Sequence, residues 1–160
     1  ASTSAYFSGR CQAFTTDASG LASIRNKEAK NPAEHLILPE LISKEPLGPS
    51  VRRGDDEFFA IAKWVVFALI EAEEYGITQA KVDELTNSTD PVVGRILGTT
   101  EDTGKLLGLD KRWAANAIKA VGNYGEIFER NVGPKSALGM PRGNNNLWNK
   151  GGFMYAPPVR

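Results

Sequence analysis

The chain has 160 residues, 41% apolar and 24% charged, which suits one ordinary domain or a substantial piece of a larger one and is too apolar for a disordered chain. Its 19 Lys and Arg balance its 19 Asp and Glu, so no electrostatic footprint for a phosphate backbone is expected and nucleic acid is set aside as a partner. One Cys and one His exclude an internal disulfide framework, a Cys/His zinc site built from this chain alone, and a Ser-His-Asp triad unless His35 carries it.

The first residues, through Phe7, show no basic stretch followed by an apolar one, so no signal peptide is read there. Cys11–Thr16 is a short β-prone run, and Asp17 follows it at the start of the helix-permissive stretch Ala18–Lys30. That order predicts a strand, an Asp17 N-cap and a helix. His35–Leu38, between Pro32 and Pro39, predicts a second strand, and Leu47–Arg53 a third that ends at Gly54. Asp55 or Asp56 then caps a long helix to about Tyr75, closed by Gly76. Its apolar run Phe58–Ile70, thirteen residues with Lys63 inside, falls short of the ~18–20 needed to span a bilayer. It is apolar on nearly every side and must be covered on nearly every side.

Beyond residue 77 a string of short helices is predicted. Thr78 caps one to about Leu85, Asp90-Pro91 opens another that Gly98 ends, and Asp110 caps a third through Trp113, Ile118 and Val121. Asn123 starts the last, which Gly133-Pro134 stops. The tail from Leu138 to Arg160, rich in Gly, Asn and Pro, is expected to wrap a surface and be pinned by Trp148, Phe153 and Tyr155. Three short strands cannot make a buried parallel sheet large enough to cover the helix at 55–75, so the chain reads as an incomplete, helix-rich α/β fold.

Few residues offer chemistry. Gly98–Lys105 looks like a phosphate loop, but it has five residues between its glycines, and Leu106 stands where a magnesium-binding Ser or Thr is needed. Asn87-Ser88-Thr89 matches a glycosylation triplet of a kind common by chance. His35 reads as structural, and Cys11 as buried and inert or as paired outside the chain. Glu71, Glu73 and Glu74 read as a solvated helix end rather than a metal site. Asp17 is the sharper candidate. A carboxylate where a strand turns into a helix faces the crevice in which open α/β sheets bind ligands, and it can be an N-cap and a partner for a small cation at once.

A family resemblance covers essentially all of the chain. Ser8–Asp17 resembles the late second-lobe strand and aspartate of type II periplasmic amino-acid-binding proteins, and Ile42–Asp56, with Glu45-Pro46-Leu47-Gly48, resembles their return crossover between lobes. Leu47 stands where the family has an aromatic residue. The runs Asn123–Asn131 and Leu147–Gly152, with the ending Ala156–Arg160, are similar to the subgroup that binds L-amino acids generally and carries an extended C-terminus. The resemblance is to the C-terminal half only. It implies a partial type II fold: residues 1–44 as the end of lobe 2, 45–54 as the hinge crossover, and 55–160 as helices of lobe 1 with the extension.

What the resemblance implies for function is capture of free L-amino acids in the periplasm for an ABC permease of the inner membrane, with no catalysis, cofactor or metal. Asp17 would pair with the ligand's α-ammonium, with Thr16 beside it as a weaker ligand-binding candidate. The arginine that clamps the α-carboxylate would have to come from the missing N-terminal half or from a second copy of the chain. Two other readings fit the sequence: a fragment that self-associates through the helix at 55–75 without binding ligand, and a dehydratase on the same fold, for which only Asp17 and Glu45 offer acid or base groups.

Overall fold

Helices make up the regular structure of the computed structural model, which describes residues 2–160. They are α1 (Ser2–Phe7), α2 (Ala18–Glu28), α3 (Asp56–Glu74), α4 (Pro91–Ile96), α5 (Trp113–Val121) and α6 (Tyr124–Asn131), joined by turns and short 3-10 segments. The chain divides into two units: one runs up to Gly48 and includes Arg130–Pro141, the other comprises Pro49–Glu129 and Arg142–Arg160.

Capping chemistry sets the helix starts. The Asp17 carboxylate accepts from the Gly20 N–H and opens α2, and Asp55 Oδ1 accepts from the Phe58 N–H at 3.0 Å to open α3. Asp90 does the same for α4 with Pro91 in the first turn, and the turn before α5 is fixed by Asp110 Oδ1, which accepts from Arg112 N–H at 2.7 Å. Before α6, Asn123 and Glu126 form a reciprocal capping box: Glu126 N–H donates to Asn123 Oδ1 at 3.0 Å and Asn123 N–H to Glu126 Oε2 at 2.9 Å.

None of the three predicted strands forms. Residues 11–16, 35–38 and 47–53 have irregular backbone, and the bridge between Leu147 and Met154 is the one β pairing among the described residues. A strand exists through its neighbours, and β-prone composition cannot supply a ladder where no second strand lies alongside. The helix predicted from Thr78 is a run of turns closed by a 3-10 segment at Glu84–Asn87. α1 was not foreseen; it buries none of its residues, and its Tyr6 packs on Phe7, Phe14 and His35. Cys11, expected to be buried, is exposed.

The unit holding α3 has the larger core. α3 packs against α5 and α4, with Ala68 and Ala72 on α3 and Ala114 and Ala115 on α5 almost fully buried, and Ile77, Ile96, Leu97 and Ile118 filling the space around them. Only the C-terminal half of α3 is covered: Phe58 and Phe59 are half exposed while Ala68–Ala72 are buried. Gly98 takes a φ of +67°, and a Cβ there would collide with the Lys111 carbonyl. Gly104 faces the Asp110 carbonyl as closely. The two glycines of the loop that looked phosphate-binding therefore allow backbone to lie against backbone.

The tail is pinned differently from expectation. Trp148, Phe153 and Tyr155 are half to three-quarters exposed, while Leu147 and Val159 are buried. Aliphatic residues bury without leaving a polar atom behind, whereas Trp148 keeps its indole N–H near water, 3.2 Å from Glu74 Oε1.

Candidate functional site

Asp17 sits at the N-terminus of α2 with three donors around its carboxylate. The Thr16 hydroxyl donates to Oδ1 at 3.0 Å, and the Ser19 hydroxyl and the Gly20 N–H donate to Oδ2 at 2.8 and 3.0 Å. These bonds favour the charged form and hold its pKa below the ordinary carboxylate value, the Ser19 hydroxyl most, then Gly20 N–H, then Thr16. The helix dipole acts in the same direction. No cationic side chain pairs with Asp17 among the described residues. Two carboxylate oxygens offer about four acceptor positions, so a position remains for an outside donor, on the oxygen that accepts only from Thr16.

Sequence reasoning named Asp17 and Thr16, and they stand in direct contact. It missed Ser19 and Gly20. The signal was present, because Asp-x-Ser-Gly at a helix start places a hydroxyl and two backbone amides within reach of the carboxylate. Gly20 also keeps the space clear, since a Cβ there would come within 2.9 Å of Asp17 Oδ1. Further along α2 a cavity of about 330 Å³ is lined by Ala22, Arg25, Asn26, Pro32, Ala33, Ala137 and Leu138, and Asp17 is not among them. His35 has the structural role expected of it: its Nδ1 shares a hydrogen bond of 2.8 Å with the Tyr6 hydroxyl, and its ring meets Phe7 edge-on.

The carboxylates at the end of α3 are not the solvated helix end that the sequence suggests. Glu71 is buried, and its Oε2 accepts from the Val159 N–H at 2.8 Å. Burial pushes its pKa up, opposed by the Val159 bond and by the Arg95 charge. Glu73 holds the Arg142 guanidinium through two bonds of 3.0 Å, with both side chains largely buried and the cation also over the Tyr124 and Phe128 rings. With the Trp148–Glu74 bond, three acidic side chains fasten residues 142–159 to one helix end. Repulsion among them is relieved by the cation and N–H groups they bind. This cluster is structural.

The same architecture occurs in known proteins of one class. A structure described as an ABC transporter periplasmic binding protein from Brucella ovis with glutathione bound superposes with a TM-score of 0.91 at 52% identity, over 99% of this chain and 50% of that one. The fold is thus a partial periplasmic-binding-protein fold. No family model matches the chain. Among curated relatives, the general L-amino acid-binding periplasmic protein AapJ of Rhizobium johnstonii is 63% identical over 158 residues, 98% of this chain and 46% of that protein. The glutamate/glutamine/aspartate/asparagine-binding protein BztA of Rhodobacter capsulatus is 52% identical over 97% of this chain and 46% of its own length. The chain's homologues are periplasmic binding proteins of amino-acid ABC transporters. It spans about half the length of the curated relatives it matches, consistent with their C-terminal half.

Proposed function

We propose that this chain is part of the substrate-binding component of an amino-acid ABC uptake system, working in the periplasm beside an inner-membrane permease and performing no chemistry. Asp17 accepts the α-ammonium of a free L-amino acid, and Thr16 orients the carboxylate through its own hydrogen bond. Residues 1–44 act as the end of one lobe, 45–54 as the crossover, and 55–160 as helices and extension of the other lobe. The observation that carries this reading is the Asp17 carboxylate itself: charged, aimed by three donors, without a cationic partner among the described residues, and with acceptor capacity left over. A partner for the α-carboxylate would come from outside this chain.

The test uses the protein assembled with the half of the relatives that this chain does not match. Asp17→Asn keeps an N-cap acceptor and removes the charge, so the helix stays while the ammonium loses its ion pair. Calorimetry should show amino-acid affinity weakened by on the order of a hundredfold or more, as when one partner of a desolvated pair is removed. Unchanged affinity in this variant would assign the ammonium to another group.

A further inference from the structure

One face of α2 borders the cavity of about 330 Å³, which lies within the unit that ends at Gly48 and takes in Arg130–Pro141. Ala22, Arg25 and Asn26 stand at i, i+3 and i+4 of the helix and so share that face. Pro32, Ala33 and Leu138 add apolar wall. Among the described residues of the lining, Arg25 is the one that carries a charge, and it is half-buried. The acidic residues near it along the chain do not neutralise it. Glu28, three residues on, forms no ion pair with it, and Glu34 accepts from the Asn31 amide at 2.9 Å instead. Among the described residues, neither the Arg25 guanidinium nor the Asn26 amide bonds to another side chain or to a carbonyl. A half-buried guanidinium whose fork of donors is unused, beside a cavity with no carboxylate in its wall, is one partner of an ion pair.

We propose that this cavity is a second binding site, which takes a small aliphatic monocarboxylate. The Arg25 guanidinium holds the two carboxylate oxygens, the Asn26 amide donates beside it, and Ala22, Pro32, Ala33 and Leu138 receive the hydrocarbon body. The chemistry of the lining selects this class. One positive charge matches one negative charge, and a planar fork of N–H donors matches a planar pair of oxygens. A phosphate brings more oxygens and more charge than one guanidinium and one amide satisfy, and it has nothing to place against the apolar wall. The volume lies at the small end of the ~300–1,000 Å³ usual for small-molecule sites, which suits an acid with a short chain. The site is separate from Asp17, which does not line the cavity, and it stands whether or not that carboxylate receives an ammonium.

The full chain, labelled with nitrogen-15, would be titrated with pentanoate in the absence of amino acids, and its amide resonances followed. Residues 22, 25, 26, 33 and 138 should shift together and saturate, with a dissociation constant on the order of millimolar for a pair still reached by water. Titration with 1-pentanol, which has the same body without the charge, and with inorganic phosphate, which has the charge without the body, should each bind at least about tenfold more weakly. Arg25→Gln removes the charge and should weaken pentanoate by about tenfold or more. Ala33→Leu keeps Arg25, fills the cavity from an exposed position and should weaken it as much, which decides the matter if the Arg25 variant fails to fold. No saturable shift at these residues would overturn the proposal. So would equal binding of pentanol or phosphate, or unchanged pentanoate affinity in a folded variant of either kind.

Discussion

Asp17 and Glu71 are both carboxylates that accept a backbone N–H, yet their surroundings drive them in opposite directions. Asp17 is near solvent with three donors, so its folded pKa lies below 3.8; the stability its charge contributes is present above that value and fades as pH falls through the lower, folded one. Glu71 is buried, and its folded pKa lies above 4.5. The native state therefore holds that proton more tightly than the unfolded chain, and the effect favours folding most below pH 4.5 and is lost as pH rises through the folded pKa. Glu71→Gln keeps an acceptor for Val159 N–H and removes the titration. Its stability relative to wild type should therefore increase between pH 4.5 and 7, read as urea midpoints at both pH values. Glu71→Ala leaves the buried N–H unpaired and should cost about 1–3 kcal/mol at either pH. A wild-type-minus-Gln difference that does not vary with pH would mean that folding does not raise the Glu71 pKa.

At the scale of elements, α3 organises its unit from one end. Its last turn carries the acidic side chains that tie down the tail, although a helix C-terminus disfavours negative charge. Arg142 offsets that cost with a two-bonded pair to Glu73 and by lying over Tyr124 and Phe128. Arg142→Ala would leave the largely buried Glu73 without its cation and should destabilise the unit by about 3 kcal/mol. Amide exchange in 142–159 should rise more than in α5, because the tail has few other anchors and Ile118 of α5 remains fully buried. Equal changes in both elements would mean that the tail and the helical core unfold as one. The three predicted strands belong to the same scale. Their residues carry the right composition, but hydrogen bonding between strands is a property of pairs, and among the described residues only Leu147 and Met154 pair.

For the whole molecule, the proposed amino-acid site has its ammonium acceptor on α2, and the cavity near it on that helix does not include Asp17. An amino acid meeting this chain alone would gain one ion pair near solvent, which is worth about 1 kcal/mol or less. Calorimetric titration of the isolated chain with a mixture of L-amino acids should therefore give no saturable heat at micromolar concentrations. Tight binding near one ligand per chain would mean that this chain builds a complete site.

Much of this was legible in the sequence, for a local reason. Asp17, Asp55, Asp90 and Asn123 announce their helices because a capping side chain acts within three residues, and Gly98 marks an end because its φ is positive. The pairing of Thr16 with Asp17 was equally close at hand. What only the tertiary structure decided depends on residues far apart: Glu71 meeting Val159, Glu73 meeting Arg142, and Tyr6 meeting His35 across long stretches of chain. Those contacts turned an apparent solvated helix end into an anchor and made α1 a helix without strong signals. Strand formation failed for the same reason in reverse, since a strand is completed by a neighbour and the sequence of one segment does not contain it.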